Sequence, residues 1–350
     1  MPPERVVGAQ AAPSWRTLPI THSLFAADGL MRVLLPEYDL DNVIECRLLQ
    51  HNQNDTYLVR SDRGQFILKI YQARGKYTPR GLSQIQYEVD LLLYLQRRGA
   101  AVAAPVVGRD GRYLRLVDAP EGTRTVVMFT YAPGEPVEPA AWDEGFSRQL
   151  GATVGTMHAA AAGFASEQPR FHLDRRYLLT RPLRLARPLF AHRPDDWAYL
   201  QTLAERLAGR LAALAAGGLS PGICHGDIVG KTNVHVTPAG RMTLFDFECC
   251  GPGWRAYDIA VFRWALVQLT SSEQANRLLA AFLAGYQDQC ALTAADLAAL
   301  PVLVAVRHFW FMGLRTGNWE NWGQGEIDDR ALDQLVAFWR GWEGQLAESV

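Results

Sequence analysis

The sequence predicts an α+β chain of two lobes, an antiparallel β-sheet carrying one helix followed by a mostly α-helical part. Three observations carry this. Between Val43 and Tyr131, alternating apolar and polar residues recur in runs separated by turn chemistry such as Asp62-Arg63-Gly64, which is the pattern of consecutive antiparallel strands. Inside that region Gly81 to Arg98 places Ile85, Val89, Leu92 and Leu95 at helical spacing. Beyond the Pro133-Gly134 break, Leu- and Ala-rich segments of helical period dominate.

At 350 residues, 49% of them apolar and 20% charged, the chain is long enough for two lobes with a substantial core. A net charge of -1 argues against a dedicated nucleic-acid binder, because the phosphate backbone is met chiefly by excess Lys and Arg. No apolar run reaches the length of a bilayer span, and the first residues lack a charged start followed by an apolar core. Five cysteines, Cys46, Cys224, Cys249, Cys250 and Cys290, show no C-x-x-C spacing and read as reduced thiols of a cytoplasmic protein.

Residues 1 to about 20 read as a loose leader, followed by a helix from Ser23 to Leu35 that Pro36 interrupts. Strands are expected at Cys46 to Gln50, Thr56 to Ser61 and Gln65 to Tyr71, then at Val106, Tyr113 to Val117 and Val126 to Tyr131. The apolar strand ending in Ala132-Pro133-Gly134 suits a connector, so residues 1–129 are read as one lobe, 130–134 as a hinge and 135–350 as the second lobe. Helices are expected over Phe146 to Ala162, Asp195 to Ala216, Ile259 to Leu269, Ser272 to Gln289, Thr293 to Leu314 and Asp328 to Ala347. His158, on an apolar helix face, reads as a satisfied core histidine. Gln168 to Arg193 holds seven arginines against Asp174, a solvated insertion or a site for an anion. From Glu320 onward acids outnumber bases around Trp319 and Trp322, a cradle for an amine or the closure of a core.

The stretch Gly222 to Asp258 carries the chemistry. His225-Gly226-Asp227 supplies one carboxylate, Asn233 an amide, and a hairpin of Val234 to Val236 with Met242 to Phe247 returns the chain to Asp246 and Glu248. Such a hairpin brings Asn233 beside Asp246, two oxygen donors suited to hard Mg²⁺, while Asp227 can serve an acceptor hydroxyl. Gly230-Lys231-Thr232 imitates the end of a P-loop, but its first glycine would fall on His225 and a strand follows where a helix should open.

These motifs resemble those of the aminoglycoside phosphotransferase and choline kinase superfamily, small-molecule relatives of protein kinases, whose loop reads H-G-D-x-x-x-x-N and whose metal segment reads D-[FWL]-[DEG]. The resemblance implies a bilobal protein-kinase-like fold and transfer of the γ-phosphate of ATP, with Mg²⁺, to a hydroxyl of a small acceptor: an aminoglycoside or other antibiotic, an amino alcohol, or a homoserine-like metabolite. It assigns Asp227 as base, Asn233 and Asp246 as metal ligands, Glu248 as a further acid, and His225 as a buttress. Lys69, in I-L-K-I-Y, and Glu88 take the roles of the ion pair that holds the nucleotide phosphates. Asn54, in the glycine-free loop H-N-Q-N-D-T-Y, stands over the phosphates, and backbone groups near Thr130 and Ala132 read the adenine edge. Asp258 pins the loop through its backbone amides. One departure is that five residues separate Asp227 from Asn233 where the family has four, so either the loop bulges at Gly230 or Thr232 takes the ligand position. Only nine residues separate Glu248 from Asp258, too few for the segment with which a protein Ser/Thr kinase docks a peptide. A nucleotide-binding but catalytically silent regulator is the other alternative, and oligomeric state is not legible.

Overall fold

In the computed structural model, which describes residues 18–73, 81–318 and 327–347, the alternating runs pair through tight turns. β1 (Val43–His51), β2 (Asn54–Ser61), β3 (Gly64–Tyr71), β4 (Leu114–Ala119) and β5 (Gly122–Thr130) form one antiparallel sheet in the order β1-β2-β3-β5-β4. Because strand side chains alternate between faces, β5 serves two cores. Its Val127 and Phe129 share a core with α2 (Leu82–Arg97), which buries Ile85, Val89, Leu92 and Leu95. Val126 and Met128 meet Leu30, Leu34 and Leu35 of the N-terminal helical segment on the other face.

That segment begins later than expected, with α1 (Ala27–Gly29), and then widens into a π turn over Leu30–Leu34 before a 3-10 turn over Leu35–Glu37. Pro36 sits inside the last turn, where its missing N–H is not needed. The strand expected at Val106 is a single contact, Val106 N to Met128 O at 2.8 Å beside an isolated Pro105–Phe129 bridge; a proline cannot extend a ladder.

The second half holds α3 (Glu144–Ala160), α4 (Arg181–Ala186), α5 (Pro194–Ala216), α6 (Ala256–Leu269), α7 (Ser272–Gln287), α8 (Ala294–Asn318) and α9 (Asp329–Ala347). α3 packs on α7, and α8 on α4, α5 and α6. α6 is buried on every side from Ala256 to Phe262, the mark of a central helix. Contrary to the sequence expectation, α8 is long and apolar enough by length and composition to cross a membrane. Most of that stretch is buried within the protein, Val302 to Val306 completely, and it carries the buried polar residues Arg307 and His308.

Two short antiparallel pairs complete the described fold, β6 (Pro221–Cys224) with β9 (Gly251–Trp254) and β7 (Val234–Val236) with β8 (Met242–Leu244). β9 was not expected, since Gly-Pro-Gly-Trp has turn composition; pairing with β6 overrides it, Pro252 standing opposite Ile223. The strand expected to reach Phe247 stops at Leu244, because Asp246 takes a left-handed φ of 61° through which no strand continues. Trp319, Trp322, Glu320, Glu326 and Glu348 of the acidic segment and most of the leader lie outside the described residues.

Candidate active site

The β7–β8 hairpin does what its sequence requires. Val234 pairs with Leu244, Phe245 N donates to Asn233 O at 3.0 Å, and Asn233 and Asp246 face each other across the open end. Both have left-handed backbones, φ 67° and 61°, a conformation that non-glycine residues hold only where the surroundings fix it. Asn233 Nδ2 donates to Asp227 O at 2.9 Å and Asp227 Oδ2 at 3.1 Å, which commits its nitrogen and leaves its carbonyl oxygen as a donor to a cation. The longer loop is accommodated at Gly230, φ 91°, where a side chain would meet the Phe262 and Trp142 rings. Thr232 and Lys231 line the cleft beside it, and Lys231 pairs with Glu138 at 2.8 Å.

The loop itself hangs on Asp258. His225 N and Gly226 N donate to its two oxygens, each at 2.7 Å. His158 bonds the same carboxylate through Nε2 at 3.0 Å and Tyr286 through Nδ1 at 2.7 Å. Burial acts to raise the Asp258 pKa, but these contacts overcome it and hold the carboxyl below its ordinary range. His225 bonds Phe245 O through Nε2 at 3.0 Å and accepts from Asp227 N on Nδ1 at 3.3 Å, so it braces loop and hairpin together.

Lys69, Glu88, Thr130, Ala132, Asn233 and Asp246 all line one cleft of about 430 Å³. Asp227 joins it through Asn233, and Asn54 and Glu248 meet at its Lys69 end. The Lys69 ammonium is 2.5 Å from Asp246 Oδ1 and 2.9 Å from Glu248 Oε2. Burial would lower its pKa; Asp246 and Glu248 outweigh burial and hold it well above the lysine range, with Glu88 adding a weaker pull. The expected partner thus gives way to two others. A buried cation takes the carboxylates nearest to it, and the 3-10 turn Phe247–Cys249 delivers Glu248 there. Asn54 differs too: its Nδ2 donates to Glu248 Oε2 at 2.5 Å and its Oδ1 accepts from Gln72 N at 3.2 Å, so its side chain fixes Glu248 instead of standing over the phosphates. At the hinge, Thr130 N donates to Ala104 O at 2.8 Å and the Ala132 carbonyl accepts from His235 at 2.8 Å. The Thr130 carbonyl and the Ala132 N–H are the groups of this pair left to read an adenine edge.

Two arginines escaped the sequence reading. Arg307 of α8, 2% exposed, ion-pairs with Asp227 Oδ1, donates to Gly226 O at 3.2 Å and lies 4.1 Å from the Trp310 ring centre. Burial pushes the Asp227 carboxyl up while Arg307 pulls it down, and burial prevails. Arg170, from the Arg-rich stretch, donates to Gln84 O at 2.7 Å, Glu248 O at 2.6 Å and Cys250 O at 2.6 Å, locking the acidic turn to α2. Nothing in the local sequence marks either one; only the fold brings them to the site.

Asn233, Asp246 and Glu248 offer oxygen alone, the donor set of a hard divalent cation, and a lysine from the opposite lobe joins them. On this sheet-over-helices frame the arrangement defines an enzyme that moves a phosphoryl group to an alcohol, using a nucleotide and a divalent metal. The sequence profile of the phosphotransferase enzyme family matches residues 45–293, and the chain belongs to that family. It is 39% identical over 342 residues to an uncharacterized protein of Deinococcus radiodurans, covering 97% of this chain and 96% of the other. It is 27% identical over 319 residues to a homoserine kinase of Gluconacetobacter diazotrophicus, covering 88% and 92%. The solved structure of an amicoumacin kinase in complex with AMP-PNP, Ca²⁺ and Ami shares its fold, with a TM-score of 0.72 and 24% identity over 90% of this chain and 93% of that one.

Proposed function

We propose that this enzyme transfers the γ-phosphoryl group of MgATP to the hydroxyl of a small acceptor: an aminoglycoside or other antibiotic, an amino alcohol, or a homoserine-like metabolite. The observation that carries this reading is the bridge Asn233 makes, its nitrogen on Asp227 and its oxygen left toward the cleft shared with Asp246 and Lys69. Asp227 orients the acceptor hydroxyl and takes its proton. Asn233, in preference to Thr232, holds Mg²⁺ together with Asp246, and Glu248 stands as a further acid behind Lys69. Bound Mg²⁺ neutralises charge on the phosphates. Lys69 binds the α- and β-phosphates, Glu88 adds negative charge beside it, Asn54 steadies Glu248, and residues 130–134 act as the hinge between lobes 1–129 and 135–350. Most of the acceleration comes from positioning and charge neutralisation. A small acceptor is favoured because β9 pairs with β6 and runs straight into α6, which uses up the span a peptide-docking segment would need. The five cysteines are free, as the cytoplasm requires.

The test is an ADP-release screen over hydroxyl compounds of these classes, followed by Asp227→Ala on the best acceptor. Turnover should fall by about 10²–10⁴-fold, the usual worth of a positioned base, with ATP affinity little changed. Asp246→Ala should instead impair metal-dependent nucleotide binding. Full turnover in Asp227→Ala removes the base assignment, and nucleotide binding without turnover on any acceptor favours a silent regulator.

A further inference from the structure

At the open end of β1 and β2, away from the residues assigned above, two histidines converge on one carboxylate oxygen. His51, the last residue of β1, stands opposite Asp55 in the β1–β2 register. Its Nδ1 is 2.6 Å from Asp55 Oδ1, and His22 Nε2, from the segment before α1, is 3.1 Å from the same atom. The imidazole rings lie 4.4 Å apart, and the three donor atoms fall within 4.8 Å of one another.

The cluster is held in place from behind. Asp55 is fully buried, and its other oxygen is 2.8 Å from Arg124 Nη2. Arg124, also fully buried, donates to Ile70 O and Tyr71 O at 3.0 Å and Ser23 O at 2.8 Å. Ser23, adjacent to His22, is fixed by Glu121 through its N–H at 3.0 Å and its hydroxyl at 2.8 Å. Arg124 already neutralises Asp55, so two further imidazoles on the outward oxygen are not needed for charge balance. Two imidazole nitrogens and one carboxylate oxygen, the carboxylate oriented by a partner on its second oxygen, are the donor set of a late first-row dication.

We propose that His22, His51 and Asp55 form a binding site for one Zn²⁺ or a similar late first-row dication, with a fourth position open to water on the side where His51 is 44% exposed. His51 and Asp55 flank Asn52-Gln53-Asn54, and Asn54 holds Glu248. The ion therefore ties the chain before α1 to the turn that steadies the nucleotide end of the cleft. Binding displaces protons from the imidazoles, so affinity falls below about pH 6.5.

The experiment uses the full chain, free of nucleotide, at pH 7.5. Zn²⁺ binding is measured by calorimetry, and Co²⁺ binding by visible absorption, which reports imidazole coordination directly. Wild type should bind one equivalent of Zn²⁺ that displaces Co²⁺ from the same site. His22→Ala and His51→Ala, each checked for an unchanged melting temperature without metal, should lose affinity at least tenfold. Asp246→Ala, altered in the cleft, should retain it. Equal Zn²⁺ binding in wild type and both histidine variants, or loss only in Asp246→Ala, overturns the site. Since no readout depends on phosphotransfer, its failure and that of the functional reading are separable.

Discussion

Asp227 carries two opposing influences, and their balance is a prediction at the scale of one residue. Burial raises its pKa and Arg307 counters it. Activity that depends on an ionised Asp227 is lost as pH falls through that pKa, which sets the acid limb of kcat/KM. Removing the guanidinium removes the influence that favours the charged form, so the pKa rises and the limb moves to higher pH. Arg307→Gln should show that displacement in a pH profile, with a greater loss at pH 6 than at pH 8, and Arg307→Lys should restore part of it. A limb that stays in place in Arg307→Gln while overall activity drops would reduce Arg307 to a packing role. Arg307 was illegible in the sequence because it is one polar residue in a strongly apolar helix, 80 positions from its partner. Asp227, Asn233 and Asp246, by contrast, stand in local motifs whose chemistry can be read without the fold.

Among the elements, the catalytic loop shows how a glycine can be required for geometry alone. Gly226 has φ 86°, and a Cβ there would lie 2.4 Å from Cys249 O, an approach that backbone on both sides cannot relieve. Gly226→Ala should therefore cost about 1–3 kcal/mol for the left-handed conformation and shift the neighbouring Asp227. The measurements are the chemical denaturation midpoint and kcat; both should fall, while the affinity for an ATP analogue, set mainly from the other lobe, changes less. Wild-type kcat in a folded Gly226→Ala would show that the loop tolerates the displacement. The loop, the hairpin and the sheet were legible because turn chemistry and alternation are local signals. β9 was not, since its strand character comes wholly from pairing with β6. The contact between Lys69 and Glu248 was also hidden, because it depends on how far the 3-10 turn after Asp246 rotates Glu248 toward β3.

On the scale of the whole molecule, two conflicting charge cues resolve by meeting each other. Arg193, from the Arg-rich stretch, pairs with Asp196 at 2.7 Å and also with Asp333 and Asp329 of α9, while Arg206 pairs with Glu343 at 2.7 Å and Arg340 with Asp196 at 2.7 Å. The described acids of the C-terminal segment are thus engaged in fastening α9 to α5, and such half-exposed pairs contribute little each. The firmer tie between these helices is His308 of α8. It accepts from Trp264 Nε1 of α6 at 3.0 Å and donates through Nε2 to Leu335 O of α9 at 3.0 Å. Burial depresses its pKa from the ordinary 6.5 to about 3. Between those two values the unfolded chain binds a proton that the folded protein refuses, so stability rises with pH across that window and is lost as pH falls from 6.5 toward 3. His308→Gln can still accept from Trp264 and donate to Leu335 O but does not titrate. Urea midpoints of wild type should therefore decline from pH 7 to pH 5 more steeply than those of His308→Gln, and the two stability curves should converge, or cross, at the acid end. Parallel curves would mean that His308 takes up a proton in the folded state and that the junction of α6, α8 and α9 opens to admit it.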